Sequence, residues 1–188
     1  MQLAKDYSQH ANAGIDNSSD EVILVDARDR EIGRMGKLEA HQRGRLHRAF
    51  SVFIVDSASR LLLQQRAPNK YHSAGLWSNT CCSHPRPGEP VAAAADRRLG
   101  EEMGFISPLS FLFSTSYCEP VSGGLVEHEL VHVFGGHFEG TPRPDPSEVM
   151  AWAWREPADI AAEVTDRPGA YTVWFEKYWR QAWMTLQR

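Results

Sequence analysis

The chain has 188 residues, of which 42% are hydrophobic and 23% charged, with a net charge of -4 at pH 7. This length suits one domain with its own core, and no apolar run approaches the ~18 residues that suggest a membrane span, so neither a membrane role nor, given the acidic balance, a nucleic-acid partner has support. Any anionic ligand must be met by a local cluster of Lys, Arg or metal.

The first 20 residues, MQLAKDYSQHANAGIDNSSD, are polar and aperiodic, so the sequence predicts a flexible tail over 1–20 and one domain over 21–188. EVILVDARD reads as a short strand and turn, and AFSVFIVDSASRLLLQQR as a hairpin turning at Asp56 to Arg60. Further strands are expected in NTCCSH, LSFLFSTSY, LVEHELVHVFGGHFE and VMAWAWRE. Helices fit EPVAAAADRRLGEEMG, closed by Gly104, and GAYTVWFEKYWRQAWMTLQ. Strands interleaved with few helices imply an α+β fold, a mixed β-sheet sandwich flanked by helices. The odd cysteine count (Cys81, Cys82, Cys118) and an N-terminus without a secretory pattern point to a reduced, cytoplasmic setting.

Strand alternation makes the two neighbouring cysteines unequal. Cys82 and His84 share one face, and Cys81 and Ser83 the other. The same rule in VEHELVH sets Glu127 and Glu129 on one face and His128 and His132 on the opposite one. Two carboxylates so close repel unless a cation or a shared proton intervenes, although solvated glutamates on an edge strand read equally well. In RRLGEEMGF, helical spacing sets Arg97 over Glu101 and Arg98 over Glu102. That is ordinary salt bridging by itself, but after a Pro-Gly turn it also suits cation and diphosphate binding.

Ser83, Glu89, Arg97, Arg98, Leu99, Glu101, Glu102, Gly104 and Phe105 resemble a Nudix box, G-x5-E-x7-R-E-U-x-E-E-x-G-U, with Ser83 in place of the first glycine and Arg98 in place of the glutamate after the arginine. The lost glutamate argues against cleavage of a diphosphate bond. Over roughly residues 20 to 180 the chain resembles one branch of that superfamily, the type I isopentenyl diphosphate isomerases. The resemblance rests on KLEAHQRGRLHRAFSVF, LLLQQRAPNKYHSAGLWSNTCCSHP, RRLGEEMG, YCEPVSGGLVEHELVHVF and AYTVWFEKYW.

The resemblance implies a divalent metal site at His41, His47, His84, Glu127 and Glu129, suited to Mn²⁺, Zn²⁺ or Mg²⁺. It also implies a Mg²⁺ carried with the substrate diphosphate between Glu102 and the Cys82 carbonyl, and diphosphate contacts from Lys37, Arg66, Lys70 and Arg98. Cys82 matches the family's catalytic cysteine, Glu129 its catalytic glutamate, Tyr117 the tyrosine beside that acid, and Trp174 the indole facing the hydrocarbon. His10, His72, His128, His132 and His137 match no role and read as surface or hydrogen-bonded histidines. Trp174 also lies on a packing stripe with Tyr171, Phe175 and Tyr178.

The implied reaction moves a double bond in a five-carbon diphosphate, with Glu129 as proton source and Cys82, as thiolate, taking the second proton. The substrate is then the expected partner, and the chain a monomer or homodimer. Two rivals remain: a Nudix pyrophosphohydrolase acting on a nucleoside diphosphate derivative, for which CCSHP has no use, and a noncatalytic binding domain with structural metal ligands.

Overall fold

The computed structural model describes residues 20–187, so the tail expected over 1–20 lies outside the described residues except for Asp20. The order is β1 (Glu21–Val25), β2 (Glu31–Gly36), α1 (Lys37–Gln42), β3 (His47–Val55), β4 (Leu61–Arg66), β5 (Trp77–Ser78), β6 (Cys81–Ser83), α2 (Val91–Met103), β7 (Ser110–Val121), β8 (Leu125–His137), β9 (Val149–Arg155), α3 (Pro157–Asp166) and α4 (Val173–Leu186). The expected hairpin, the later strands and the two long helices are present. β2, α1, β5 and α3 are additions to the sequence reading. EIGRMG carries two glycines and no alternation, KLEAHQ is too short to show a helical period, and α3 buries only Ile160.

β3 is the axis of the fold. It pairs in parallel with β8 along its whole length, antiparallel with β6, and with β4 only at the hairpin mouth. β4 carries β5 and β9, β8 carries β7, and β1 bridges β3 to β2. The result is a mixed sheet with helices on its faces, an α+β sandwich.

Alternation along β3 feeds two cores. Ala49, Phe53 and Val55 pack with Val131, Val133, Phe175, Tyr178 and Trp179 on the α4 side, whereas Phe50, Val52 and Ile54 pack with Ala94, Ala95, Leu99 and Met103 on the α2 side. The large side chains that α4 buries contribute roughly 1.5–3 kcal/mol each. Cys81 joins the α2 core and Cys82 packs against the α4 core, so the adjacent cysteines face opposite layers.

Three registers then build one site. His47 lies opposite Glu129 in the β3–β8 pair, Tyr117 opposite Glu129 in β7–β8, and Ser51 opposite Cys82 in β3–β6. Gly104 closes α2 in the left-handed region at φ 73, where a Cβ would collide with the Arg143 carbonyl. The segment after it satisfies the helix end, with Arg143 N donating to Met103 O and Asp145 N to Glu102 O, both at 3.0 Å. This brings Glu148 beside α2.

Candidate active site

Ser83, which takes the place of the first Nudix-box glycine, sits in β6 opposite Phe50 and has no left-handed backbone, so a side chain costs nothing there. Glu89 accepts both Nε and Nη2 of Arg97, at 2.7 and 2.8 Å, and this fork fixes the turn into α2.

The metal-ligand candidates converge behind the sheet. α1 presents His41 and the first residue of β3 is His47; both are fully buried. His41 Nδ1 lies 2.7 Å from the Lys37 carbonyl and His47 Nδ1 2.8 Å from the Arg45 carbonyl. A carbonyl only accepts, so each Nδ1 carries a proton, and Nε2 is left as the atom that offers a lone pair whenever the ring is neutral. His41 Nε2 is buried with no hydrogen-bond partner, and His47 Nε2 faces His84 Nε2 at 3.1 Å. Ligand atoms of His41, His47, His84 and Glu129 all lie within 4.8 Å of one another. Inward lone pairs held by backbone acceptors are what a divalent cation requires, so the residues present fit a metal ion.

Glu127 and Glu129 flank this cluster. Burial alone would push the Glu127 carboxyl up, yet His41 and His72 against it hold it well below the usual carboxylate range. Glu129, raised by burial and by Glu127, is brought down on balance by His47 and His84. Tyr117 donates its single hydroxyl proton to Glu129 Oε2 at 2.7 Å, and the same hydroxyl lies 3.1 Å from Glu127 Oε2. Burial and the two carboxylates keep its phenol protonated well beyond the ordinary range.

Cys82 Sγ donates to Asn79 Oδ1 at 2.9 Å and lies 3.2 Å from Ser51 Oγ, which in turn is 2.8 Å from the Tyr178 hydroxyl. Burial pushes the thiol up to about 12. A group that donates to Asn79 is a thiol, so the thiolate expected from sequence is not the resting form in this geometry.

A cavity of about 220 Å³ opens beside these groups, and Cys82, His84, Glu127, Glu129 and Trp174 line it together with Lys37, Arg66, Lys70, Arg98 and Glu102. Trp174 is buried, with its Nε1 donating to Ser78 Oγ at 2.9 Å and the Arg66 guanidinium 5.3 Å from its ring centroid. Of the expected residues, His41, His47 and Tyr117 do not line the cavity and support it from behind.

Four residues escaped the sequence reading. Glu148 pairs with Lys70 and, at 3.0 Å, with Arg98. Burial opposes its charge, but the two cations hold its carboxyl down at about 2. Arg98 also reaches Glu101 at 3.0 Å and Glu102 at 2.7 Å. Gln64 donates to Glu102 Oε2 at 3.2 Å. Asn79 holds the thiol, and His72, read as unassigned, lies 2.9 Å from Glu127. The one available signal for His72 and Asn79 was their place inside the stretch KYHSAGLWSNTCC.

Comparison with known proteins identifies the family. The NUDIX domain model matches residues 45–175. "Isopentenyl-diphosphate Delta-isomerase 1" of Aromatoleum aromaticum is 55% identical over 157 residues, covering 84% of this chain and 89% of the relative. The chain belongs to the isopentenyl-diphosphate Delta-isomerase family. A further member from Burkholderia multivorans is 54% identical over 154 residues, covering 82% of this chain and 88% of its own length. A Deinococcus radiodurans crystal structure matches at a TM-score of 0.69 and 18% identity, covering 89% of this chain and 98% of that one, which supports the fold alone. Among the described residues no helix is long and apolar enough to cross a membrane.

Proposed function

We propose that residues 21–188 act as a single catalytic domain that isomerises isopentenyl diphosphate to dimethylallyl diphosphate in isoprenoid biosynthesis, in the cytoplasm, as a monomer or homodimer. One observation carries the reading of the site. Cys82 and Glu129, the latter hydrogen-bonded by Tyr117, border a cavity that Lys37, Arg66, Lys70 and Arg98 also line.

The chemistry follows from that arrangement. An alkene is a very weak base, so a positioned acid must protonate its terminal methylene, and the tertiary carbocation then loses a proton from the carbon on its other side. Glu129, with Tyr117 donating to it, is placed to deliver the first proton, and Cys82 to take the second. Trp174 walls the cavity and offers its π face to the cation, an interaction worth ~2 kcal/mol or more when desolvated. Lys37, Arg66, Lys70 and Arg98 anchor the diphosphate. His41, His47, His84, Glu127 and Glu129 would hold Mn²⁺, Zn²⁺ or Mg²⁺, and Glu102 with the Cys82 carbonyl a Mg²⁺ brought by the diphosphate; bound cations supply positive charge that offsets the carboxylates and the diphosphate.

A second direction of transfer is favoured by the Cys82–Asn79 hydrogen bond. With Cys82 a thiol and Glu129 a carboxylate at rest, the thiol is the acid and the carboxylate the base. Alkylation of Cys82 by iodoacetamide, read peptide by peptide against pH, separates the two: slow reaction up to pH ~9 supports the thiol as acid, and fast reaction at pH 7 the thiolate.

The reaction is tested by proton NMR of the protein with isopentenyl diphosphate and Mg²⁺ in D₂O beside a phosphate assay. Dimethylallyl diphosphate carrying deuterium, without phosphate release, is the expected result. Unchanged substrate, with phosphate released from a nucleotide panel, would replace this reading by the hydrolase.

A further inference from the structure

The histidine that lies against Glu127 has no part in the ligand set above. His72 is 5% exposed, in the loop between β4 and β5, and its Nε2 lies 2.9 Å from Glu127 Oε1. Its Nδ1 is 3.2 Å from the Ser73 hydroxyl, which can donate to it and leave Nε2–H to donate to the carboxylate. Ligand atoms of His41, His72 and Glu127 lie within 4.8 Å of one another, and neither His72 nor Glu127 joins the set formed by His41, His47, His84 and Glu129. His72 therefore meets the cluster only through Glu127 and His41.

The backbone around it is fixed from several directions. Ser73 holds a left-handed φ of 51, uncommon for a residue with a side chain, and its N–H donates to Ser122 Oγ at 3.0 Å. Arg66 donates to the carbonyls of Ser73 and His72, both at 3.2 Å. The His72 ring also packs edge-on against Tyr71 and Trp174, with centroids 4.4 and 5.9 Å away. A side chain so constrained is aimed, and what it is aimed at is a metal-binding carboxylate.

We infer that His72 is a positioning residue of the metal centre: it holds Glu127 by its Nε2–H and so fixes the orientation of that carboxylate. The inference rests on the metal-site reading above. Hydrogen-bonded partners behind a ligand typically change metal affinity 10–100-fold when removed.

The test is a calorimetric titration of the full chain with Mn²⁺ alone, with no substrate, on wild type, His72→Ala and His72→Gln. The glutamine keeps an N–H donor near the position of Nε2. The expected result is a dissociation constant raised roughly 10–100-fold in His72→Ala and largely restored in His72→Gln, with metal-free thermal melts confirming that both fold. Unchanged affinity in His72→Ala, beside a stoichiometric wild-type site, overturns the role of His72 and leaves the metal site standing. Equal losses in both variants make His72 a direct ligand and also overturn the positioning role. A wild-type protein that takes up no Mn²⁺ overturns the metal site itself, and this inference with it.

Discussion

Two charged clusters beside the cavity, a histidine end around His41 and His47 and a cation end around Lys70 and Arg98, meet charge in opposite ways. At the histidine end, His41 and His47 are fully buried, their Nδ1 atoms are spent on backbone carbonyls, and His41 Nε2 has no hydrogen-bond partner. At the cation end, Lys70 and Arg98 are already ion-paired with Glu148, and Arg98 also with Glu101 and Glu102. The first end improves by gaining a cation, the second by exchanging one anion for another. Burial makes the difference, because a desolvated set of acceptors has no water to turn to, whereas a partly exposed set of charges is satisfied by mobile partners.

The largest expected effect comes from removing the two groups assigned to proton transfer. Cys82→Ala or Glu129→Gln should lower turnover by ~10²–10⁴-fold or more, measured by NMR, with circular dichroism unchanged; near-normal isomerisation in either would remove that residue from the chemistry. Next is the histidine end alone. Stripping metal with a chelator and restoring it at 1,000-fold over its dissociation constant should change stability by about 4 kcal/mol, read as a Tm shift of roughly 8–16 °C. An unmoved Tm would mean that the lone pairs need no cation and that the contrast between the ends is false.

The cation end is expected to answer more gently. Glu148→Gln leaves Lys70 and Arg98 with less anionic competition, so magnesium pyrophosphate should bind roughly 3–10-fold tighter, a change on the order of 1 kcal/mol, whereas Arg98→Ala should weaken it. Calorimetry decides, and weaker binding in Glu148→Gln would place that carboxylate among the Mg²⁺ ligands.

The smallest effect tests the turn that carries α2. The Arg97 fork, working against burial, holds the Glu89 carboxyl down at about 2. Its unfolded value is near ~4.3, so its contribution is fully present above that pH and lost as pH falls toward 2. Glu89→Gln should cost about 1 kcal/mol at pH 7 after solvent screening. Thermal melts should show the gap to wild type closing between pH ~4 and ~2.

The parts of the site readable in the sequence were those that depend on local period. The alternation that separates Cys81 from Cys82 and aligns Glu127 with Glu129 is a property of a strand, and the Arg98–Glu102 spacing is a property of a helix. His41 and His47 needed the family pattern, since six intervening steps of chain contain a helix end and a turn that no period describes. His72 and Glu148 come from a loop and from the residue before a strand, and each reaches the site by tertiary packing alone.

The parallel pairing of β3 with β8 carries a consequence for how this site can change over evolution. His47 meets Glu129 because two distant stretches of chain run side by side in fixed step. An insertion of one residue just after Glu129 within β8, with pairing beyond it kept, would turn both glutamates to the opposite face of the strand and bring their neighbours to the histidines. Loops around the cavity can therefore lengthen or shorten while the chemistry survives, but the two strands behave like a reading frame: substitutions are negotiable within them, and single-residue changes of length are not.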